Sequence, residues 1–278
     1  MKPLLELVGE TAPYARAFDV TVKGDAVLGW YKPEQRRYSE TTLMSFSETL
    51  RTMAFHGALV GAEANPVKER HYYLGSRAEL RLFPVEAPDA KAFQCVGRLD
   101  GIDRSNLFPI YRVSGACLTD RGERYAELAG SLLVLTEEEF VGLKGADASP
   151  RPVWTPGQPS PYADPLRPMA LEWKESGRML QATFPALARE DFAGHFDIRP
   201  LCPLSLVSAS ACALVGHFPG YARFGIRRCE LSCKDVVDAG QAQRLTCVFD
   251  GGGQFVISVE SEEGQRLARF KLEAVPAS

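Results

Sequence analysis

Gly194-His195-Phe196-Asp197-Ile198-Arg199-Pro200-Leu201-Cys202-Pro203, running into Leu204 to Ala209, is the stretch from which the rest of this chain is best read. A histidine stands in a proline-bearing loop, and the apolar run that follows reads as a helix from about Pro203 to Val215. Histidine has an unperturbed pKa near neutrality, which suits it to taking up or giving a proton at physiological pH. The helix that follows offers no acidic partner, because the residue 14 places after His195 is Ala209.

A partner emerges once the chain is read as two degenerate copies of one unit. Arg77-Ala78-Glu79-Leu80 recurs as Arg228-Cys229-Glu230-Leu231, each soon after a long helical segment and each opening a strand-like run. Asp120-Arg121-Gly122-Glu123-Arg124-Tyr125-Ala126 recurs in form as Glu262-Glu263-Gly264-Gln265-Arg266-Leu267-Ala268, a glycine turn between two strands. The offsets, 151 and 142 residues, drift as loop deletions would make them drift. In the first copy the segment Leu43 to Phe55 is an apolar helix carrying Glu48, and 14 residues upstream, where the second copy has its histidine, stands Glu34. Each copy keeps the half of a site that the other has lost.

The loop and the two helices together resemble the 3-hydroxyacyl-thioester (acyl-carrier-protein) dehydratases of fatty-acid synthesis. Their pattern, G-H-F-x-x-x-P-x-x-P-G, precedes an apolar helix that bears a carboxylate. The histidine, the phenylalanine and both prolines match in spacing; Asp197-Ile198 replaces the usual Pro-Gly, and Leu204 the final glycine. The resemblance implies an α+β double hotdog, two tandem units each with a long helix in a curved antiparallel sheet. It implies His195 and Glu48 as the catalytic pair, meeting across the pseudo-twofold interface, with Glu48 as an acid whose pKa burial raises. Gly194, Phe196, Pro203, Leu204 and Ser205 would border the substrate, and a backbone N–H at Leu204 or Ser205 would hold the thioester carbonyl. Bulk at Leu204 would narrow the pocket. The substrate would be carried on the phosphopantetheine of acyl carrier protein or coenzyme A, with Arg36, Arg37, Arg77, Arg227 and Arg228 as candidates for its mouth, and no separate cofactor or metal is implied. Two alternatives stay open: a hotdog thioesterase using Glu48 on water, and a non-catalytic acyl-binding or partner subunit.

Composition fits without deciding among these. The chain has 278 residues, 45% of them hydrophobic and 24% charged, with a net charge of −3, enough for a substantial core and without the basic surface of a nucleic-acid binder. No apolar run reaches membrane-spanning length, and the first ten residues are too short and too charged for a signal peptide, so a cytoplasmic protein is expected. Seven cysteines, odd in number and scattered through apolar runs, read as buried free thiols, and neither they nor the four histidines show metal-ligand spacing. Of the other histidines, His56 reads as a satisfied helix residue, His71 has no partner near it in sequence, and His217 lies in a turn that ends a helix.

The expected organisation is an N-terminal hotdog unit at 1–144, a proline-rich linker at 145–168 and a C-terminal unit at 169–278, with association of two such pseudo-dimers into a homodimer left open. A strand at Phe18 to Val22 and a helix from Tyr38 to Ala62, capped by Ser39 or Ser45 and closed by Asn65-Pro66, begin the first unit. Strands at Tyr72 to Val85, Lys91 to Leu99, Phe108 to Thr119 and Tyr125 to Thr136 follow. The second unit begins near Leu171, and after the His195 loop and its helix come strands at Phe224 to Lys234, Gln243 to Phe249, Gln254 to Glu260 and Leu267 to Val275.

Overall fold

A nineteen-residue helix, Phe46–Ala64 (α1), runs with nearly every side chain buried, so one amphipathic stripe does not describe it. The computed structural model describes residues 3–86, 89–145, 153–196, 198–199, 201–235 and 238–277. The helix starts eight residues later than the sequence predicts, because residues outside it take up its first free N–H groups. Ser45 Oγ accepts the Glu48 N–H at 3.1 Å, and the Glu40 carboxylate accepts that of Phe46. At its other end the Asn65 N–H donates to the Gly61 carbonyl, where a helix end is expected.

Strands wrap both sides of this helix and of its counterpart, Leu204–Val215 (α3). In chain order they are Phe18–Lys23 (β1), Ala26–Tyr31 (β2), Tyr72–Leu82 (β3), Phe93–Asp103 (β4), Ile110–Thr119 (β5), Arg124–Leu135 (β6), Ala170–Glu175 (β7), Met179–Phe184 (β8), Phe224–Cys233 (β9), Gln243–Phe249 (β10), Gln254–Ser261 (β11) and Arg266–Pro276 (β12). They form one antiparallel sheet in the order β1-β2-β4-β5-β6-β3-β9-β12-β11-β10-β8-β7. Read from the centre outward, the two halves are the same: β3 answers to β9, β6 to β12, β5 to β11, β4 to β10, β2 to β8 and β1 to β7. This is the double hotdog that the resemblance implies.

The seam between the halves lies on the repeated tetrapeptides. Glu79 stands opposite its equivalent Glu230, with Ala78 opposite Leu231 and Leu80 opposite Cys229 on either side, so the local twofold passes through the Glu79–Glu230 pair. Two carboxylates directly opposite in a strand pair would repel. Arg228 relieves this by pairing with both, at 3.1 and 3.2 Å. Inside the sheet, α1 approaches the strands closely: a Cβ on Gly61 would stand 2.7 Å from the Tyr73 ring. Side chains such as Phe55, Leu59, Phe93, Phe255 and Phe270 fill the two concave faces, each worth about 1.5–3 kcal/mol when fully buried.

Three strands, β2, β7 and β8, and one α-helix are absent from the sequence reading. β2 and β8 are short inner strands that hydrogen-bond on both edges. A helix at Glu137–Lys144 (α2) begins with a Thr136/Glu139 capping box and buries Phe140. The described part of the proline-rich segment, expected only to link the two units, docks on the site. Tyr162 is fully buried and donates to the Ala193 carbonyl at 3.0 Å, and Ser160 donates to Glu34 at 3.1 Å. Pro150 and Pro152, like Asp197 and Pro200 of the opening stretch, lie outside the described residues. All seven cysteines are free thiols, and no described helix is long and apolar enough to cross a membrane.

Candidate active site

The His195 loop is a short turn of the second unit clasped by the first. Gly194 adopts φ +80°, a conformation open to glycine at little cost, and its carbonyl accepts the Thr11 N–H at 2.8 Å. Phe196 also has positive φ, at 55°, which costs a non-glycine residue energy. Its ring is held in that position by Tyr72 and Phe140, at 5.9 and 5.4 Å between centroids. The contacts that hold the loop in this shape thus come from the first unit. A Cβ at Gly194 would meet the Thr11 carbonyl oxygen at 2.4 Å in addition to the disfavoured φ. Gly194→Ala is therefore expected to lower unfolding stability by more than about 2 kcal/mol, measured by urea titration, and an unchanged midpoint would contradict this clasp.

His195 is buried, and its Nδ1–H donates to the Leu201 carbonyl at 2.8 Å. A carbonyl can only accept, so this bond fixes the tautomer and leaves the Nε2 lone pair free. The ring lies 4.6 Å from that of Tyr14, on the loop that clasps Gly194. Burial pushes the His195 pKa down to about 4, against the smaller opposing pull of the Leu201 carbonyl, so the imidazole is neutral at physiological pH. Burial, reinforced by the Glu10 carboxylate, holds the Tyr14 phenol far above its usual pKa; Arg51 and Ser205 pull the other way.

Glu48 is also buried, one turn into α1, but its carboxylate is fully occupied. Oε2 accepts the Gln35 and Glu34 N–H groups at 2.7 and 3.3 Å, and Oε1 accepts Arg51 Nη2 at 2.8 Å. Glu34 joins the same network: Oε1 accepts Arg51 Nη2 at 2.7 Å, and Oε2 pairs with Arg16. Arg51 is 2% exposed and lies over the Tyr162 ring, 5.0 Å from its centroid, and beside that of Tyr14 at 6.0 Å. The structure therefore links Glu48 to His195 by way of Arg51 and Tyr14. Among the described residues no hydrogen bond joins Glu48 and His195 directly.

His195, Tyr14, Arg51 and Glu10 line one wall of a cavity of about 110 Å³ at the junction of the units. Leu204 and Ser205 bring the N-terminus of α3 to the same wall, while Leu50, Ala54, Phe55, Val113, Leu128 and Leu132 make the rest apolar. Leu204 itself lines the cavity. Phe196 borders it; Gly194 and Pro203 are not among the lining residues and shape the loop and the helix start instead. Pro203 offers no side-chain cap, so the first-turn N–H groups of α3 are uncapped by a side chain beside His195. Arg77 alone of the arginines expected at the mouth lines the cavity, and it also lines a groove on the outer face of the sheet with Arg112, Arg269 and Lys271.

Sequence reasoning misses Arg51, Tyr14 and Glu10. Arg51 carried a signal, a lone arginine three residues after Glu48 in a helix too apolar to have an exposed face. Tyr14 sits in an irregular loop whose sequence has no period to read.

Away from the site, His56 is satisfied on both nitrogens, by Tyr31 Oη at 3.0 Å and the Val27 carbonyl at 3.1 Å. Burial lowers its pKa to about 4, whereas burial raises that of Glu40 to about 7. Between pH 4.5 and 6.5 the unfolded chain binds two protons at His56 and His195 that the folded chain excludes, and the folded chain keeps one at Glu40 that the unfolded chain loses. The net is about one more proton on the unfolded chain, so stability falls as the pH drops. Unfolding free energy is expected to be level near pH 7 and to decline by about 3 kcal/mol by pH 4.5, and a flat profile in urea titrations would refute the assignment.

No family model matches this sequence, and no curated protein matches it. Solved structures do match its fold. An acyl-ACP thioesterase from Bacteroides thetaiotaomicron is similar over 90% of this chain and 98% of its own, with TM-score 0.53 and 12% identity. The 12:0-ACP thioesterase from Umbellularia californica is similar over 92% and 100%, with TM-score 0.52 and 12% identity. A MaoC-like dehydratase is similar over 84% and 83%, with TM-score 0.51 and 13% identity. At such identities the likeness is one of fold, the double hotdog, shared by thioesterases and dehydratases alike.

Proposed function

We propose that this chain is an acyl-thioester enzyme, and that it dehydrates 3-hydroxyacyl thioesters or hydrates the corresponding 2-enoyl thioesters. The observation that carries this reading is His195: a neutral imidazole with its tautomer locked and Nε2 free, at the wall of an apolar cavity beside a helix N-terminus. Nε2 takes the proton from C2 while the Leu204 and Ser205 N–H groups polarise the thioester carbonyl, the positive end of α3 favouring the charge that develops there. Burial makes the resulting imidazolium a strong acid. It passes the proton to the departing C3 hydroxyl, so that the C2–H and C3–O bonds break, the C2=C3 bond forms and water leaves. Glu48, engaged by Arg51 and two backbone N–H groups, acts on the substrate only through Arg51. Carriage on acyl carrier protein or coenzyme A fits Arg77 at the cavity and the basic residues of the outer groove.

Thioester hydrolysis is the second reading, favoured by Glu10, a carboxylate on the cavity wall that could orient water. Following the alkene absorbance and free thiol together, with a short 3-hydroxyacyl thioester and its 2-enoyl counterpart, separates the two. Interconversion without thiol release is expected. Thiol release without interconversion would replace dehydration by hydrolysis.

A further inference from the structure

A line of arginines crosses the outer face of the sheet beside the cavity. Residues directly opposite on neighbouring strands share a face, and five stand in one register. Arg112 on β5 is opposite Ser131 on β6, Ser131 opposite Arg77 on β3, Arg77 opposite Ser232 on β9, and Ser232 opposite Arg269 on β12. Strands lie about 4.8 Å apart, so successive arginines are roughly 10 Å apart and the line spans about 19 Å. All five residues line a groove of about 610 Å³.

Among the described residues none of the three arginines is in an ion pair. The carboxylates of the same groove are taken up by other cations: Glu79 by Arg81 and Arg228, Glu230 by Arg228 and Lys271, and Asp100 by Arg98. The local twofold supplies a comparison. Ser131, Arg77, Ser232 and Arg269 correspond in the repeat to Glu273, Arg228, Arg81 and Glu127, a row on the far side of the seam that balances its own charge. The row with spare positive charge is the one beside the cavity. There the β3–β9 ladder ends, at Arg77 and Ser232, β3 shifts register against β6 between Gly75 and Arg77, and Gly75 and Cys233 line the cavity. Arg77 is exposed and lines cavity and groove alike, so a ligand whose acyl end lies in the cavity is led out onto the row.

Guanidinium groups alternating with serine hydroxyls suit phosphate, whose oxygens accept from both. Their repetition along the groove suits several phosphates on one elongated molecule, and the groove has the volume of a small-molecule site rather than the area of a protein interface. Coenzyme A brings a diphosphate and a ribose phosphate, whereas the arm of a carrier protein brings a single phosphodiester.

We propose that Arg77, Arg112 and Arg269, with Ser131 and Ser232 between them, bind the phosphates of a nucleotide-borne acyl thioester, and that this chain takes coenzyme A thioesters in preference to those on a carrier protein. This deepens the acyl-thioester reading and rests on it for what enters the cavity; the phosphate site rests on the row.

Binding and turnover test the two separately. Calorimetry would compare coenzyme A, its 3′-dephospho form and pantetheine on the wild type, Arg77→Gln, Arg112→Gln, Arg269→Gln and Arg81→Gln, the last a control on the balanced row. The wild type is expected to bind coenzyme A at least about tenfold more tightly than pantetheine, with the dephospho form between them and the preference shrinking as salt rises. Each variant on the row should weaken coenzyme A binding about three- to tenfold, and Arg81→Gln should not. Enoyl hydration and thiol release would be followed with coenzyme A, pantetheine and carrier-protein thioesters. Equal wild-type affinities for coenzyme A and pantetheine, or a preference untouched by all three row variants, would overturn the phosphate site; enoyl-pantetheine hydration would then still stand for the dehydratase reading. Faster turnover of the carrier-protein thioester, lost in the row variants, would overturn the choice of coenzyme A. Coenzyme A binding that depends on the row, without turnover of any thioester, would uphold the site and overturn the enzyme reading.

Discussion

His195→Gln is expected to reduce the interconversion of 3-hydroxyacyl and 2-enoyl thioesters by a factor of about 10²–10⁴, the usual contribution of a positioned acid-base group, while leaving the fold intact. Glutamine is the informative substitution because its amide can still donate to the Leu201 carbonyl, which His195 Nδ1 now does at 2.8 Å, yet it offers no basic nitrogen to the cavity. The neighbours that hold the ring in place, Tyr14 and Phe196, lose some contact but no hydrogen bond to the side chain. A loss of activity with a retained urea midpoint therefore reports on the proton and not on the loop. The pH profile supplies a second check. With the His195 pKa at about 4, the acid limb of the rate is expected well below the 6.5 of a free imidazole. An unchanged rate in His195→Gln would remove the histidine from the chemistry and move attention to Glu10.

The architecture was legible because repeats and strand alternation survive divergence. The twin tetrapeptides turned out to be the seam itself, with Glu79 opposite Glu230, since residues on a twofold axis have each other as neighbours and constrain one another. The loop residues His195 and Phe196 were legible as letters, but their shape depends on Thr11, Tyr72 and Phe140, more than fifty residues away, which no local pattern announces. β2 and β8 escaped because six residues with one glycine or one threonine give alternation too little length to be heard. The pairing of Glu48 escaped for a different reason. Its spacing to Glu34 copies that of Ala209 to His195, and this singled it out on α1. What it faces depends on Arg51, three residues along the same helix, which competes for the carboxylate at closer range than any group across the interface.

Arg51→Leu makes that competition measurable and should be the most destabilising substitution in the site, at about 3–5 kcal/mol at pH 7, the cost of leaving buried charge without its partner. Glu48 and Glu34 have side-chain exposures of 2% and 10%, and both rely on Nη2 of this one arginine. Leucine fills much of the volume, so the loss is electrostatic rather than a cavity, and it ought to be partly reversed by neutralising the stranded acids. In the series Arg51→Leu, then with Glu48→Gln, then with Glu34→Gln as well, stability should recover stepwise, because the glutamine at 48 still accepts from the Gln35 N–H through its carbonyl oxygen. Arg16→Ala is the control: its side chain is 36% exposed, and water can replace it on Glu34, so a loss of no more than about 1 kcal/mol is expected. Additive losses along the series would mean that the three side chains are not one network. Recovery would show that the buried Glu48 carboxylate is held by Arg51, and that Glu34, Glu48 and Arg51 stand or fall as one network.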